Sequence, residues 1–247
     1  MPGMEAVRTL GAKAEPMQST FTRIAASSRL CRVAEGVALS HGAARSEAAK
    51  RAMDVAGALA ILLLALPVFL ALVLLVRMDG GPAFYAHERV GRGGRLFGCL
   101  KFRSMVVDSE RRLAELLARD PAARAEWEAT RKLKRDPRVT WVGRFLRASS
   151  LDELPQLINV LRGDMSLVGP RPVICAELAA HYGAAAQHYL SVRPGLTGPW
   201  QISGRSDTTY AQRVALDVGY ATRADLWTDV KILLRTPAAV ILRRGAY

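Results

Sequence analysis

The chain has 247 residues, which is enough for one domain of ordinary size with appendages. Half of the residues are hydrophobic, and 35 basic against 22 acidic residues give a net charge of +13 and a pI near 10.4. This excess of positive charge favours an anionic partner: nucleic acid, an anionic membrane face or a phosphorylated substrate. The three cysteines and four histidines form no CxxC pair and show no metal-ligand spacing, which argues against a zinc site.

The N-terminal part, residues 1–49, is rich in Ala, Ser, Arg and Gly and has weak hydrophobic periodicity. Such a composition is typical of a flexible tail. No compact apolar run begins near Met1, so a signal peptide is not expected.

A membrane segment is predicted over residues 50–78. Residues 55–76 form a run of 22 uncharged residues, VAGALAILLLALPVFLALVLLV. As a helix this run would be about 33 Å long, close to the hydrocarbon thickness of a bilayer. A buried core helix of this length usually has a polar face, which this run lacks.

The topology of this segment depends on Pro67, which lies near its middle. Proline removes one backbone hydrogen bond and crowds the preceding turn, so we expect a break or kink there. Basic residues flank both ends, and the positive-inside rule therefore assigns both ends to the cytoplasm. A plain span stays open, but this charge pattern favours a re-entrant helix hairpin. The flanking residues are Arg45, Lys50 and Arg51 before the run and Arg77, Arg89, Arg92 and Arg95 after it.

The remaining residues, 79–247, are predicted to form a cytoplasmic catalytic domain. Short apolar runs between glycines indicate two strands within about residues 80–105, and residues 107–132 indicate a charged amphipathic helix interrupted near Pro121. The segments around Trp141 and after Leu226 suit helices in a membrane interface, although soluble amphipathic helices fit equally. The predicted fold is therefore helix-dominated α/β, membrane-associated, with a small sheet and several interfacial helices.

The most informative stretch is RASSLDELPQLINVLRGDMSLVGPRP, residues 147–172. Proline is tolerated only in the first turn of a helix, so Pro155 predicts a helix that begins near Leu151 or Asp152. Asp152 and Glu153 then lie at the helix N-terminus, where acidic residues often act only as caps.

Nearby arginines support a second interpretation of these two carboxylates. Arg147 lies five residues before Asp152, and the rigid turn Gly169–Pro172 presents Arg171. Two carboxylates that face several arginines could hold a divalent ion and a diphosphate together. A second basic turn begins at Arg193, and its glycines would let backbone amides approach phosphates, although an ordinary loop is the alternative.

Four segments resemble the bacterial sugar transferase family, the monotopic phosphoglycosyl transferases that start exopolysaccharide, O-antigen and glycoprotein glycan assembly. They are KFRSM at 101–105, SLDELPQLINVLRGDMSLVGPRP at 150–172, VRPGLTGPWQISGRSD at 192–207 and the C-terminal KILLRTPAAVILRRGAY. The resemblance runs from about Lys50 to Tyr247 and agrees with a re-entrant helix broken at Pro67.

The resemblance implies a two-step reaction. Asp152 attacks the β-phosphate of a UDP-sugar and releases UMP, and polyprenyl (undecaprenyl) phosphate then takes the sugar phosphate from the aspartate. Glu153 is the partner of Asp152, and the pair is associated with Mg²⁺. Arg147 matches a phosphate-binding arginine. Four further residues fall in motif positions suited to phosphate or uridine contact: Lys101, Arg103, Arg171 and Arg193.

The partners expected from this resemblance are a UDP-sugar, a polyprenyl phosphate lipid and the cytoplasmic face of the bacterial inner membrane. The segment GRSDTTY at 204–210 resembles members that act on galactose or glucose, with galactose slightly favoured. A catalytically idle membrane scaffold for polysaccharide enzymes is the alternative, and a homo-oligomer stays open. No nucleic acid is expected, because such a protein would not need the apolar run and no base-reading motif is present.

Overall fold

The computed structural model describes residues 43–130, 132–204, 208–223 and 225–241. Helices dominate these residues and two small sheets complete them, which confirms the helix-dominated α/β prediction. The helices are α1 (Ala43–Leu64), α2 (Leu66–Arg77), α3 (Ser109–Arg119), α4 (Pro121–Thr130), α5 (Trp141–Ser149), α6 (Gln156–Arg162), α7 (Cys175–His181), α8 (Ala186–Ser191), α9 (Pro199–Ile202), α10 (Tyr210–Arg223) and α11 (Leu226–Ile241). The strands are β1 (Phe84–Val90), β2 (Leu96–Phe102), β3 (Ser166–Val168) and β4 (Gly195–Thr197).

The apolar run folds as two helices, α1 and α2, that are bent by 67°. Pro67 lies in the first turn of α2, where a missing backbone N–H needs no helical partner, so the predicted break is confirmed. Within the described ranges, no single helix is long and apolar enough to cross a bilayer, whereas the bent pair meets both criteria together. Helix α1 begins at Ala43, before the predicted boundary at residue 50. Residues 1–42 of the predicted tail lie outside the described residues.

The first sheet is the antiparallel hairpin of β1 and β2, which confirms the two predicted strands. In its register Tyr85 lies opposite Lys101, and His87 lies opposite Cys99. Because side chains alternate along a strand, Lys101 and Cys99 share one face of the hairpin with Arg89. This face borders the cleft described below.

Asn159 on α6 fixes the hairpin against that helix. Its Oδ1 accepts a hydrogen bond from the Leu100 backbone N–H at 2.9 Å, and its Nδ2 donates to the Gly98 carbonyl at 2.9 Å. The side chain is fully buried, so both bonds are shielded from water. This contact lies beside Lys101 in β2 and fixes the position of that strand against α6.

Helix α5 packs directly on the residues that follow β2. A Cβ atom added to Gly143 would lie 1.9 Å from the Ser104 carbonyl oxygen, so only glycine allows this approach. Thr140 caps the helix by accepting a hydrogen bond from the Gly143 N–H, and its own N–H donates to the Ser104 carbonyl at 3.1 Å. The buried face of α5 carries Val142 and Leu146.

The predicted charged helix is also confirmed, as α3 and α4, which meet at Pro121. Outside the core, large aromatic side chains remain exposed on two helices: Trp141 and Phe145 on α5 and Trp227 on α11. These positions agree with the predicted amphipathic helices.

Candidate active site

The two candidate carboxylates lie in a short 3₁₀ turn, Leu151–Glu153, between α5 and α6. Ser150, with φ 59° and ψ 14°, takes the left-handed conformation that ends α5 and starts this turn. The prediction of an α-helix from residue 151 or 152 is therefore wrong in its start, because α6 begins only at Gln156. Pro155 occupies the N-cap position of α6, so neither carboxylate is its N-cap residue.

Asp152 and Glu153 both accept hydrogen bonds from the Lys101 ammonium group. Lys101 Nζ lies 3.2 Å from Asp152 Oδ2 and 2.8 Å from Glu153 Oε1. Strand β2 and the 3₁₀ turn, far apart in sequence, therefore hold one cation between two anions. Charge-assisted hydrogen bonds of this kind are the stronger ones in proteins.

The electrostatics of this cluster keep Lys101 charged and make Asp152 a stronger base. Burial raises the pKa of Asp152 above its ordinary value, and the charge of Glu153 adds to this, while Lys101 and Arg147 oppose it. For Lys101, burial lowers the pKa, but the two carboxylates outweigh it and the net shift is upward.

A cleft open to solvent lies beside the cluster. Its lining includes Lys101 and Glu153, and also Arg171, which the segment Gly169–Pro172 presents as predicted. The Arg171 guanidinium makes no hydrogen bond or ion pair with the described residues and lies 5.4 Å from the centre of the Trp200 ring. Its donors are therefore available to an anion in the cleft. The full lining is Arg89, Cys99, Lys101, Glu153, Gln156, Arg171, Pro172, Gly195, Leu196 and Gln201.

Arg147 is held next to the carboxylates by a contact with the segment after β2. Its Nε donates to Ser104 Oγ at 2.9 Å, and its charge helps to lower the pKa of Asp152. The structure thus brings together five of the predicted site residues: Asp152, Glu153, Lys101, Arg147 and Arg171.

Arg103 and Arg193 are placed elsewhere. Arg103 forms an ion pair with Asp79, just beyond α2, and donates to the carbonyls of Val76, Pro82 and Met105. Arg193 donates to Glu47 on α1 at 3.1 Å and to the Gly163 carbonyl at 3.1 Å. Neither arginine lines the cleft. Their predicted phosphate or uridine contact stays a prediction, whereas their observed contacts join α1 and α2 to the rest of the fold.

The glycines of the second basic turn serve chain packing. A Cβ on Gly195 would lie 2.1 Å from the Gly169 nitrogen, and one on Gly198 would lie 2.0 Å from the Gly169 carbonyl oxygen. These positions must be glycine because β3 and β4 and the loops that follow them touch backbone to backbone. Close backbone packing therefore explains why glycine occupies positions 195 and 198, without any contact to phosphate.

Sequence reasoning missed Arg89, Cys99 and Gln156 in the cleft lining. Strand alternation could have found the first two, because they share the hairpin face of Lys101 once the register is known. Burial lowers the pKa of the Arg89 guanidinium and raises the pKa of the Cys99 thiol to about 11. Cys99 therefore carries a protonated thiol at neutral pH and is a poor nucleophile.

The carboxylate pair Asp152 and Glu153 could hold a divalent cation such as magnesium. Magnesium is commonly held by one or two carboxylates together with substrate phosphates. Asp152 and Glu153 already converge on one positive charge, which shows that both can reach a shared cation. Throughout the described ranges, no group of three or more His, Cys, Asp or Glu side chains forms a metal cage. The residues therefore suit a substrate-borne ion better than a protein-only site.

Comparison with known proteins gives a consistent family assignment. A model of the family described as bacterial sugar transferase matches residues 45–243. The chain is 54% identical over 198 residues to the UDP-galactose-lipid carrier transferase of Erwinia amylovora, covering 80% of this chain and 41% of that protein. It is 53% identical over 200 residues to the exopolysaccharide production protein ExoY of Rhizobium meliloti, covering 81% and 88%.

A more distant relative carries a different sugar in its name. The UDP-glucose:undecaprenyl-phosphate glucose-1-phosphate transferase of Caulobacter vibrioides is 40% identical over 207 residues, covering 80% of this chain and 72% of that protein. The chain spans less than half the length of the Erwinia protein but most of the length of the Rhizobium one.

Proposed function

Because this chain belongs to the bacterial sugar transferase family, we propose that it transfers hexose-1-phosphate from a UDP-sugar to undecaprenyl phosphate. This would be the first membrane step in the synthesis of an exopolysaccharide or O-antigen. The names of its relatives support a sugar-phosphate transferase that uses a lipid carrier.

One observation carries this proposal: two carboxylates share the Lys101 ammonium group beside a cleft that Arg171 also lines, and the Arg171 guanidinium has no hydrogen-bond or ion-pair partner among the described residues. A diphosphate bound there would find cations on one side and a carboxylate nucleophile on the other. Such an arrangement offsets the repulsion between an anionic nucleophile and an anionic substrate.

In the first step, a carboxylate oxygen of Asp152 attacks the β-phosphorus of the UDP-sugar. The bond between that phosphorus and the bridging oxygen breaks, and UMP leaves with the electron pair. Burial supports this role because it raises the pKa of Asp152, and a more basic carboxylate is a better nucleophile while ionised. Lys101, between the two carboxylates, keeps Asp152 ionised and oriented.

In the second step, a phosphate oxygen of undecaprenyl phosphate attacks the phosphorus held on Asp152. The bond from phosphorus to the Asp152 oxygen breaks, which restores the carboxylate and gives the lipid diphosphate sugar. Arg147 and Arg171 would neutralise the phosphate charges in both steps. When bound at Asp152 and Glu153, Mg²⁺ would supply charge neutralisation for the diphosphate.

The bent helix pair would place this reaction at the cytoplasmic face of the inner membrane. We propose that α1 and α2 form a re-entrant hairpin, bent next to Pro67, and that residues 79–247 form the catalytic domain. Exposed leucines on both helices and exposed aromatic residues on α5 and α11 support contact with lipid.

The proposed sugar is galactose, with glucose as the alternative. Relatives whose names refer to galactose are 46% to 54% identical to this chain, whereas those whose names refer to glucose are 40% identical. The segment at 205–207, part of the motif that favoured galactose in the sequence, lies outside the described residues.

The test uses the full chain in detergent with UDP-galactose that carries ³²P in the β-phosphate. Without lipid, we expect one UMP to be released per active site and the label to stay on the protein. Adding undecaprenyl phosphate should move the label to the lipid. If UMP appears only after lipid is added, the covalent step is refuted, and if no UDP-hexose yields lipid product, the scaffold alternative replaces the enzyme.

A further inference from the structure

Gln156, the first residue of α6, lies in the wall of the cleft. Only 3% of the residue is exposed. Its side-chain amide makes no hydrogen bond to any other part of the chain that the structure describes. The amide nitrogen and oxygen are not enclosed by protein, because they reach the water of the cleft, where they are available to a ligand.

The other polar groups near Gln156 explain what its amide could recognise. Arg89, Lys101 and Arg171 present positive charge to the cleft and suit the phosphates of a nucleotide sugar. An amide is neutral, and it both donates and accepts hydrogen bonds. It therefore matches the hydroxyl groups of a sugar, which also donate and accept.

The position of Gln156 indicates which part of the donor lies beside it. Glu153 and Gln156 are three residues apart across the end of a 3₁₀ turn, and both line the cleft. Side chains at this spacing point to the same side. In a UDP-hexose the sugar is bonded directly to the β-phosphate that Asp152 would attack, whereas uracil lies beyond the α-phosphate and the ribose.

On these grounds we propose that Gln156 is a specificity-determining residue, whose amide hydrogen-bonds a hydroxyl group of the hexose. This inference rests on the proposed function and deepens it. In the free protein the amide would hydrogen-bond to water of the cleft, and the sugar hydroxyl would replace that water.

The principal test compares the wild type with Gln156→Met, which keeps the side-chain length and removes the amide. The substrates are UDP-galactose and its four singly deoxygenated analogues at positions 2, 3, 4 and 6. We expect the variant to lose about 10- to 100-fold in kcat/KM for UDP-galactose. The wild type should show the same loss with one deoxy analogue, and the variant should no longer distinguish that analogue from UDP-galactose.

Two further measurements separate this role from others. The inhibition constant of UDP, which lacks the sugar, should be unchanged in Gln156→Met, and an equal loss for UDP would place Gln156 on the nucleotide instead. The thermal unfolding temperature of the variant should be equal or higher, because no hydrogen bond to the protein is lost. A lower unfolding temperature would show a structural role.

Gln187→Met is the matched control, because Gln187 is exposed on α8 and does not line the cleft. It should behave as wild type with every analogue. If the wild type is active and Gln156→Met discriminates among the analogues as the wild type does, this inference fails while the proposed function stands. If the wild type converts no UDP-hexose, the proposed function fails first.

Discussion

Two sets of cations in this molecule look alike in sequence but differ in what their donors contact. Lys101, Arg147 and Arg171 lie around the carboxylates, and the Arg171 guanidinium has no hydrogen-bond or ion-pair partner among the described residues. Arg103 and Arg193 are instead engaged by carboxylates and backbone carbonyls next to α1 and α2. The hydrogen-bond partners thus separate Arg171, whose donors stay available in the cleft, from Arg103 and Arg193, whose donors join elements of the fold.

The largest expected effect comes from removing the proposed nucleophile. Asp152→Asn keeps the shape of the side chain and should lower lipid product formation by at least about 10³-fold. The measurement is transfer of ³²P from labelled UDP-galactose to undecaprenyl phosphate. Glu115→Gln is the control, since Glu115 is exposed on α3 and pairs with Arg111 outside the cleft lining. Product from Asp152→Asn at the wild-type rate would exclude a nucleophilic role.

Removing an unengaged cation of the cleft should reduce activity and spare stability. We expect Arg171→Gln to lower kcat/KM by about 10²-fold, because a donor aimed at developing phosphate charge is lost. Stability should fall by less than about 1 kcal/mol, since its observed contact is with the Trp200 ring. Enzyme kinetics and thermal unfolding of the same preparation check the expected fall in kcat/KM and the expected small change in stability. Unfolding at a clearly lower temperature would place Arg171 with the structural arginines.

Removing Arg103, whose donors are all used within the fold, should reduce stability and spare activity. Arg103→Gln breaks the ion pair with Asp79 and leaves carbonyls after α2 without their donor. We expect a loss of about 2 kcal/mol of stability. Activity per folded molecule should stay near that of the wild type, measured well below the unfolding temperature. A large fall in kcat/KM with unchanged stability would show that Arg103 contacts the substrate.

The smallest expected effect is on the pH dependence of kcat/KM, which tests the influence of Lys101 on Asp152. Since burial raises the pKa of Asp152, its ionised form is lost as the pH falls through that raised value, and kcat/KM should decline on the acid side. Lys101 lowers the pKa of Asp152 by its charge. Lys101→Gln should therefore move the acid limb to higher pH, so that the variant loses more activity at a fixed pH on that limb than on the plateau. If the acid limb does not move in Lys101→Gln, then the charge of Lys101 does not influence the pKa of the group that limits activity at acid pH.

The sequence predicted the elements that depend on local patterns. Pro67 marked the break between α1 and α2, Pro121 marked the junction of α3 and α4, and glycines bounded the two strands. These predictions held because proline and glycine act on their own backbone and need no distant partner. The start of α6 was misplaced, because Pro155 is the N-cap residue of α6 and does not lie in its first turn, while a separate 3₁₀ turn forms at Leu151–Glu153.

Contacts between distant residues could not be predicted from the chain alone. Charge showed that Arg103 and Arg193 were cations, but only folding brings Asp79 to the one and Glu47 to the other. Arg89 was missed for the same reason, because its place in the cleft follows from the pairing of β1 with β2. The motif at 150–172 shows Asp152 and Glu153 side by side, but their shared partner Lys101 comes from β2, far away in sequence.

The close approach of Gly143 to Ser104 has a consequence for how the reactive centre comes into being. The segment after Lys101 and the helix that leads into Asp152 touch backbone to backbone, without any side chain between them. The ammonium group and the carboxylates are therefore brought into register by folding itself, before any nucleotide arrives. A bulkier residue at position 143 would push Lys101 and the two carboxylates apart, and the proposed activity would then be lost without a change in any reacting atom.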